Sequence, residues 1–156
     1  GSPTPARVGV YFGEGDTAYF WDETSQSMTT VYRYSAGTGW SDNTNILTLG
    51  RGCMINAVNP RTISLVGAAG DADVTRDIRA RWNDIGNPFP RALVSGGFTS
   101  GMVAGDTISE WGTTDFSNTI RWNGSAWVGS LSFRPGAGYW FNRVSTAGQF
   151  QWTINR

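Results

Sequence analysis

Few side chains in this chain are able to do covalent or acid–base chemistry. Its 156 residues include no histidine and one cysteine. A Ser-His or Cys-His pair is therefore excluded, and a zinc site would lack its commonest ligand. Cys53 stands in the apolar run Cys53-Met54-Ile55, where a thiol reads as a small buried hydrophobe, neither disulfide partner nor nucleophile. Carboxylates remain, since two acids facing each other across a sugar cleft suffice for glycoside hydrolysis. Glu14, Asp16, Asp22, Glu23, Asp84, Asp106, Glu110 and Asp115 are the candidates. Asp16 and Asp106, however, both lie in Gly-Asp-Thr at a strand entrance, where the carboxylate caps a turn. The inventory points away from an enzyme, with no catalytic residue and no cofactor expected.

Asp71, Asp73 and Asp77 are spaced closely enough to offer oxygens to calcium. The full calcium-loop pattern and its distal glutamate are missing, so they read as solvated acids and no metal site is expected. Twelve arginines balance twelve acids. The arginines are scattered, Arg76, Arg79 and Arg81 being the nearest to a cluster, and without a basic stripe nucleic acid is not an expected partner. No apolar run approaches the roughly 20 residues that span a bilayer, so membrane insertion is not expected either.

The remaining chemistry is aromatic. Sugars present apolar C–H faces with a rim of hydroxyls, so Trp or Tyr on a strand surface, edged by polar groups, suits carbohydrate binding. The chain carries eight tryptophans. The candidate ligand-binding residues are Trp122, Trp127, Tyr34 and Trp40 on two hairpins, with Trp111 and Trp21 nearby and Arg121 as a polar neighbour. The opposing reading is that the face holding Ile120, Trp122 and Trp127 packs the core.

Strands must position these residues. Glycine (21 residues) and tryptophan are both abundant, which favours strands and tight turns. No stretch sustains apolar residues at helical spacing, and 74–82 is the best helical segment. The chain also repeats itself, between 15–67 and 105–155. Gly15-Asp16-Thr17 and Trp21 recur 90 positions later as Gly105-Asp106-Thr107 and Trp111. Val31-Tyr32-Arg33-Tyr34 and Trp40 answer to Thr119-Ile120-Arg121-Trp122 and Trp127. Gly52 and Asn56 recur 86 positions on as Gly138 and Asn142, the drift falling in turns, where insertions are tolerated.

Asn123-Gly124 suits a two-residue type I′ turn, which would pair Trp122 with Ser125 and Ile120 with Trp127. Cys53 to Ile55 and Tyr139 to Phe141 show no alternation and read as strands buried on both faces. Thr62 to Val66 and Phe150 to Ile154 alternate with period two and read as closing strands. Repeat 1 spans about 8–67, a small polar linker about 68–80, and repeat 2 about 81–155, opening on a lead-in strand at Trp82. Copy one's equivalent of that lead-in is expected before residue 1, and Gly1-Ser2 reads as a scar of tag removal. Halves of under 80 residues are small for independent domains. The expectation is one all-β domain over 3–156, a β-sandwich or barrel with two pseudo-symmetric repeats.

Trp82-Asn83-x-Ile85-Gly86-Asn87-Pro88-Phe89-Pro90, then Gly105-Asp106-Thr107, then Pro135-Gly136-x-Gly138-Tyr139-Trp140 resembles a repeat of large secreted and cell-surface proteins of environmental bacteria. The resemblance covers most of the chain. It implies a non-catalytic accessory or architectural unit, outside the cell or on its surface, with other domains of the same large protein as neighbours. It assigns a structural role to Trp82, Pro88, Gly136, Gly138 and Trp140. Copy one departs from the closing motif, with Arg51 and Cys53-Met54 where copy two has Ala137 and Tyr139-Trp140.

The function expected from these readings is a carbohydrate-binding or adhesive module acting on a polysaccharide or cell-surface glycan. The alternatives are a purely architectural repeat, which requires all eight tryptophans to be largely buried, and a receptor-binding domain of a phage or virus particle, whose signature is trimerisation.

Overall fold

In the computed structural model, residues 12–41, 49–61, 72–95, 98–112, 114–144 and 148–155 are described, and their regular structure is almost wholly strand. A four-stranded antiparallel sheet joins β1 (Thr17–Asp22), β2 (Ser27–Ser35), β3 (Gly39–Trp40) and β4 (Met54–Asn56) in the order β3-β2-β1-β4. After β5 (Val74–Ile78), β6 (Arg81–Gly86) and β7 (Leu93–Val94) come β8 (Thr107–Trp111), β9 (Phe116–Trp122), β10 (Trp127–Val128), β11 (Ser132–Phe133), β12 (Gly138–Arg143) and β13 (Phe150–Ile154). The second large sheet has the order β10-β9-β8-β12-β6, and two ribbons pair β11 with β7 and β13 with β5. The chain is all-β, as its composition implies. Among the described residues no helix is long and apolar enough to cross a membrane.

Four strands of the second sheet, β10-β9-β8-β12, are ordered like β3-β2-β1-β4 of the first, and β6 has no counterpart there. Thr17 pairs with Arg33 and Asn56, and Thr107 with Arg121 and Asn142. The pairing shifts register before Trp21 in one sheet and before Trp111 in the other, a bulge at the same place in each. The Gly-Asp-Thr turns match bond for bond. Asp16 Oδ2 accepts from Gly13 N–H (2.9 Å) and Oδ1 from Val58 N–H (2.8 Å). Asp106 does the same with Val103 N–H (3.0 Å) and Val144 N–H (3.2 Å). An arginine faces each carboxylate at 3.4 Å, Arg61 at Asp16 and Arg143 at Asp106. Gly15 and Gly105 adopt positive φ, 84° and 102°, which a side chain would oppose. Both aspartates are fully buried, so these carboxylates are structural caps that satisfy backbone donors.

Alternation sends one face of each sheet into a core. Phe12, Ala18, Phe20, Tyr32 and Trp40 form the first. The second is larger, with Ile85, Ile108, Ile120, Phe133, Phe141 and Trp152 among its members. β6 is the outermost strand of the second sheet, and an edge strand must hide its unpaired backbone groups. Groups from the first sheet's connections and from β5 cap them. The Gln26 side-chain amide takes Trp82 N–H (2.8 Å) and donates to Trp82 C=O (2.9 Å). Arg76 donates to Asp84 C=O, and Gly86 N–H donates to Gly50 C=O (2.9 Å). Gly86 and Arg51 approach so closely that a Cβ on Gly86 would lie 2.7 Å from the Arg51 carbonyl oxygen.

Several local expectations are corrected. Residues 74–82 are not helical: Val74 and Ile78 turn one face of β5 into the core, and its partner is β13, so 74–78, within the expected linker, is strand. In the second hairpin Trp127 pairs with Trp122 and Val128 with Arg121, so the loop has four residues. The Asn123 carboxamide oxygen accepts from Ser125 N–H (2.9 Å) and Ala126 N–H (2.8 Å), a side-chain turn that replaces the type I′ geometry. Met54 and Ile55 are half-buried, as is Trp140, so neither run is buried on both faces. Thr62 to Val66 lies outside the described residues.

Candidate functional site

Where the first sheet docks on β6, its rings meet those of the second. The Trp21 indole N–H donates to Trp82 C=O (2.9 Å), which holds the Trp21 ring edge-on to Trp140 at 5.1 Å and 85°. Trp140 in turn stands edge-on to Trp82 at 6.2 Å. Trp82 stacks on Phe116 at 5.4 Å and 14°, and Trp111 meets Phe116 edge-on at 5.1 Å. Five rings from both sheets thus run in unbroken contact. Trp140 takes part because the alternation of β12 buries Tyr139 and Phe141 and turns Trp140 to the other face.

The band borders a cleft of about 310 Å³. Its first wall is Tyr19, Trp21 and Met28 with the strand edge Cys53 to Ile55. Its second is Trp111, Trp140, Tyr139 and Gly138. Glu110 and Arg134 supply polar groups to the same cleft, with Arg134 Nη2 hydrogen-bonded to Glu110 Oε1. The Glu110 side chain keeps 18% exposure and Arg134 64%.

Two titratable groups beside the cleft are displaced from their ordinary behaviour. Burial pushes the Asp84 carboxyl up to about 7, with Glu23 alongside adding to the rise and Arg76 and Arg51 opposing it. Both Asp84 oxygens are buried and accept no hydrogen bond, and each lies 3.7 Å from an arginine nitrogen, of Arg51 or Arg76. A raised carboxyl in a sugar-sized cleft is how a glycosidase acid presents itself. Here Asp84 lines the cleft with both oxygens buried, and the other acid on its wall, Glu110, is engaged with Arg134. Burial likewise pushes the Cys53 thiol up to about 11, Asp84 adding and Arg51 opposing, so the thiolate that nucleophilic chemistry needs is scarce at neutral pH.

Of the residues expected to bind ligand, the structure brings Trp21 and Trp111 into the cleft. The hairpin aromatics are elsewhere. Trp122 (5% exposed) and Trp40 (6% exposed) are core residues. Tyr34 and Trp127 pack against the two cores, the Trp127 indole N–H donating to Phe98 C=O. The core reading of that face is the correct one, because the in-and-out alternation of β9 points Ile120 and Trp122 inward. Arg121 is exposed on the opposite side of β9 and does not line the cleft. Trp140, Met28, Met54 and Arg134 were not expected at a site. Alternation on a strand with one covered face presents either Trp140 or its neighbours Tyr139 and Phe141 outward, and three aromatics in a row give no signal that chooses between them.

Among the described residues no group of three or more His, Cys, Asp or Glu side chains is placed to hold a metal ion. Asp77 lies exposed on β5 opposite Gln151, and Asp71 falls outside the described residues. Comparison of the chain with protein-family models, with curated proteins and with solved structures returned no match.

Proposed function

We propose that this chain is a non-catalytic carbohydrate-binding module, displayed outside the cell or on its surface beside other domains of a larger protein, and built from two copies of one repeat unit. The observation that carries the reading is the aromatic cleft. Its volume sits at the lower end of the roughly 300–1,000 Å³ range of small-ligand sites. Rings on its walls match the C–H faces of a sugar, and the Glu110–Arg134 pair matches hydroxyl and carbonyl groups. Access supports the same reading over a purely architectural role, which requires buried tryptophans: Trp111 is 44% exposed, and Trp21, Trp82, Trp127 and Trp140 are half-buried.

Affinity electrophoresis against a panel of soluble polysaccharides, with tryptophan fluorescence titration of any that retards the protein, tests the proposal. Binding is expected to be saturable and to weaken at least tenfold in Trp111→Ala and Trp140→Ala, both folded by circular dichroism. The proposal fails if no polysaccharide binds, or if both variants bind as the parent does.

A further inference from the structure

The cleft sets an apolar patch beside polar groups. Met28, Met54 and Ile55 form much of one wall, and Trp140 stands across from them. Thioethers are polarizable and adapt to small apolar groups, yet they offer a sugar hydroxyl almost nothing. A hydroxyl lodged there would exchange water for no hydrogen bond, a net cost.

Tyr19, Asp84, Glu110, Arg134 and Tyr139 bring polar groups to the cleft, and Glu110 and Arg134 form a complementary pair among them. Arg134 Nη2 bonds Glu110 Oε1, which leaves Glu110 Oε2 as an acceptor and the other guanidinium N–H groups as donors at the same rim. A ligand that satisfies this set carries a small apolar group, one N–H and one C=O within a few ångströms of each other.

We infer that the cleft selects glycans bearing 2-acetamido substituents, with the acetyl methyl against Met28, Met54 and Trp140, the amide N–H donated to Glu110 and the amide oxygen accepting from Arg134. The inference rests on the carbohydrate-binding reading and adds to it the substituent that is recognised. An anionic sugar fits less well, since Glu110 would repel it. A plain glucan fits less well because its 2-hydroxyl would face the thioether wall unpaired.

Fluorescence titration with tri-N-acetylchitotriose and with cellotriose tests this, because the two trisaccharides share a β-1,4 backbone and differ at the acetamido positions. The acetylated sugar is expected to bind at least tenfold tighter. Met54→Ala and Arg134→Ala, neither in a core, are expected to erase most of that preference. Equal affinities, or a preference that both variants retain, overturn the inference. If neither trisaccharide binds while another polysaccharide of the panel does, the inference fails and the carbohydrate reading stands. If nothing on the panel binds, both fail.

Discussion

Asp84 offers the sharpest physical test of how the two sheets are joined. Its side chain retains 7% exposure, and it faces Glu23, Arg51, Arg76 and the Cys53 thiol. Burial raises it from 3.8 to about 7. The sign follows from linkage: the folded state holds the proton more tightly than the unfolded chain, so the contribution is fully present below pH 3.8 and is lost as pH rises through about 7. At about 1.4 kcal/mol per pH unit, the loss across that window is on the order of 4 kcal/mol. Asp84→Asn keeps the shape, keeps a donor toward Glu23 at every pH and removes the titration. Urea unfolding at intervals from pH 4 to pH 9 is expected to show the variant about as stable as the parent near pH 4 and more stable by a few kcal/mol at pH 8, with a flatter pH profile. A variant with the parent's pH profile, or one less stable at pH 8, would refute the account of a carboxyl kept protonated by burial.

Two further substitutions address the other joints. Asp106→Ala takes away the counter-charge of buried Arg143, which keeps its bonds to Gly101 and Gly148 C=O, and the acceptor of the Val103 and Val144 N–H groups; chemical denaturation is expected to show a loss of about 3–5 kcal/mol, and a loss under 1 kcal/mol would mean that water replaces the carboxylate. Gly86→Ala places a methyl 2.7 Å from the Arg51 carbonyl oxygen, so thermal unfolding is expected to reveal a loss of about 1–3 kcal/mol, and an unchanged midpoint would show that the two segments part freely.

What the sequence disclosed and what it hid separate along the range of the interactions. Gly15-Asp16-Thr17 and Gly105-Asp106-Thr107 were legible as capped turns because one bond of each cap, from Gly13 or Val103 N–H, closes within three residues, whereas the bonds from Val58 and Val144 come from far along the chain. The closing strand 150–154 was legible because Trp152 and Ile154 alternate with polar neighbours. β5 was not, since Val74 and Ile78 lie four apart, a spacing that a helix face and a strand face share, and the partner that decides between them is β13, distant along the chain. The Asn123-Gly124 turn failed for a local reason. Asn123 is itself a good acceptor, and by capping two N–H groups it widened the loop from two residues to four. The cleft was beyond reach because Trp140 sits between two other aromatics, so polarity could not mark the outward residue, and because Trp21 reaches it only through the docking of one sheet on the other.

That docking is also what ties the candidate site to stability. Trp21 belongs to β1 and Trp140 to β12, and nothing but the junction along β6 brings their rings to 5.1 Å. The junction is made largely of side chains standing in for a missing strand: the Gln26 amide on Trp82 and the Arg76 guanidinium on Asp84 C=O, with Gly50 C=O the one backbone group, on Gly86. At their centre lies Asp84, a carboxyl that burial holds in its protonated form. A ligand gripped between Trp21 and Trp140 would add contacts to both sheets at once, and by mass action it would hold the junction closed. On the carbohydrate-binding proposal, the aromatic band would both meet the ligand and let it stabilise the arrangement that creates the cleft.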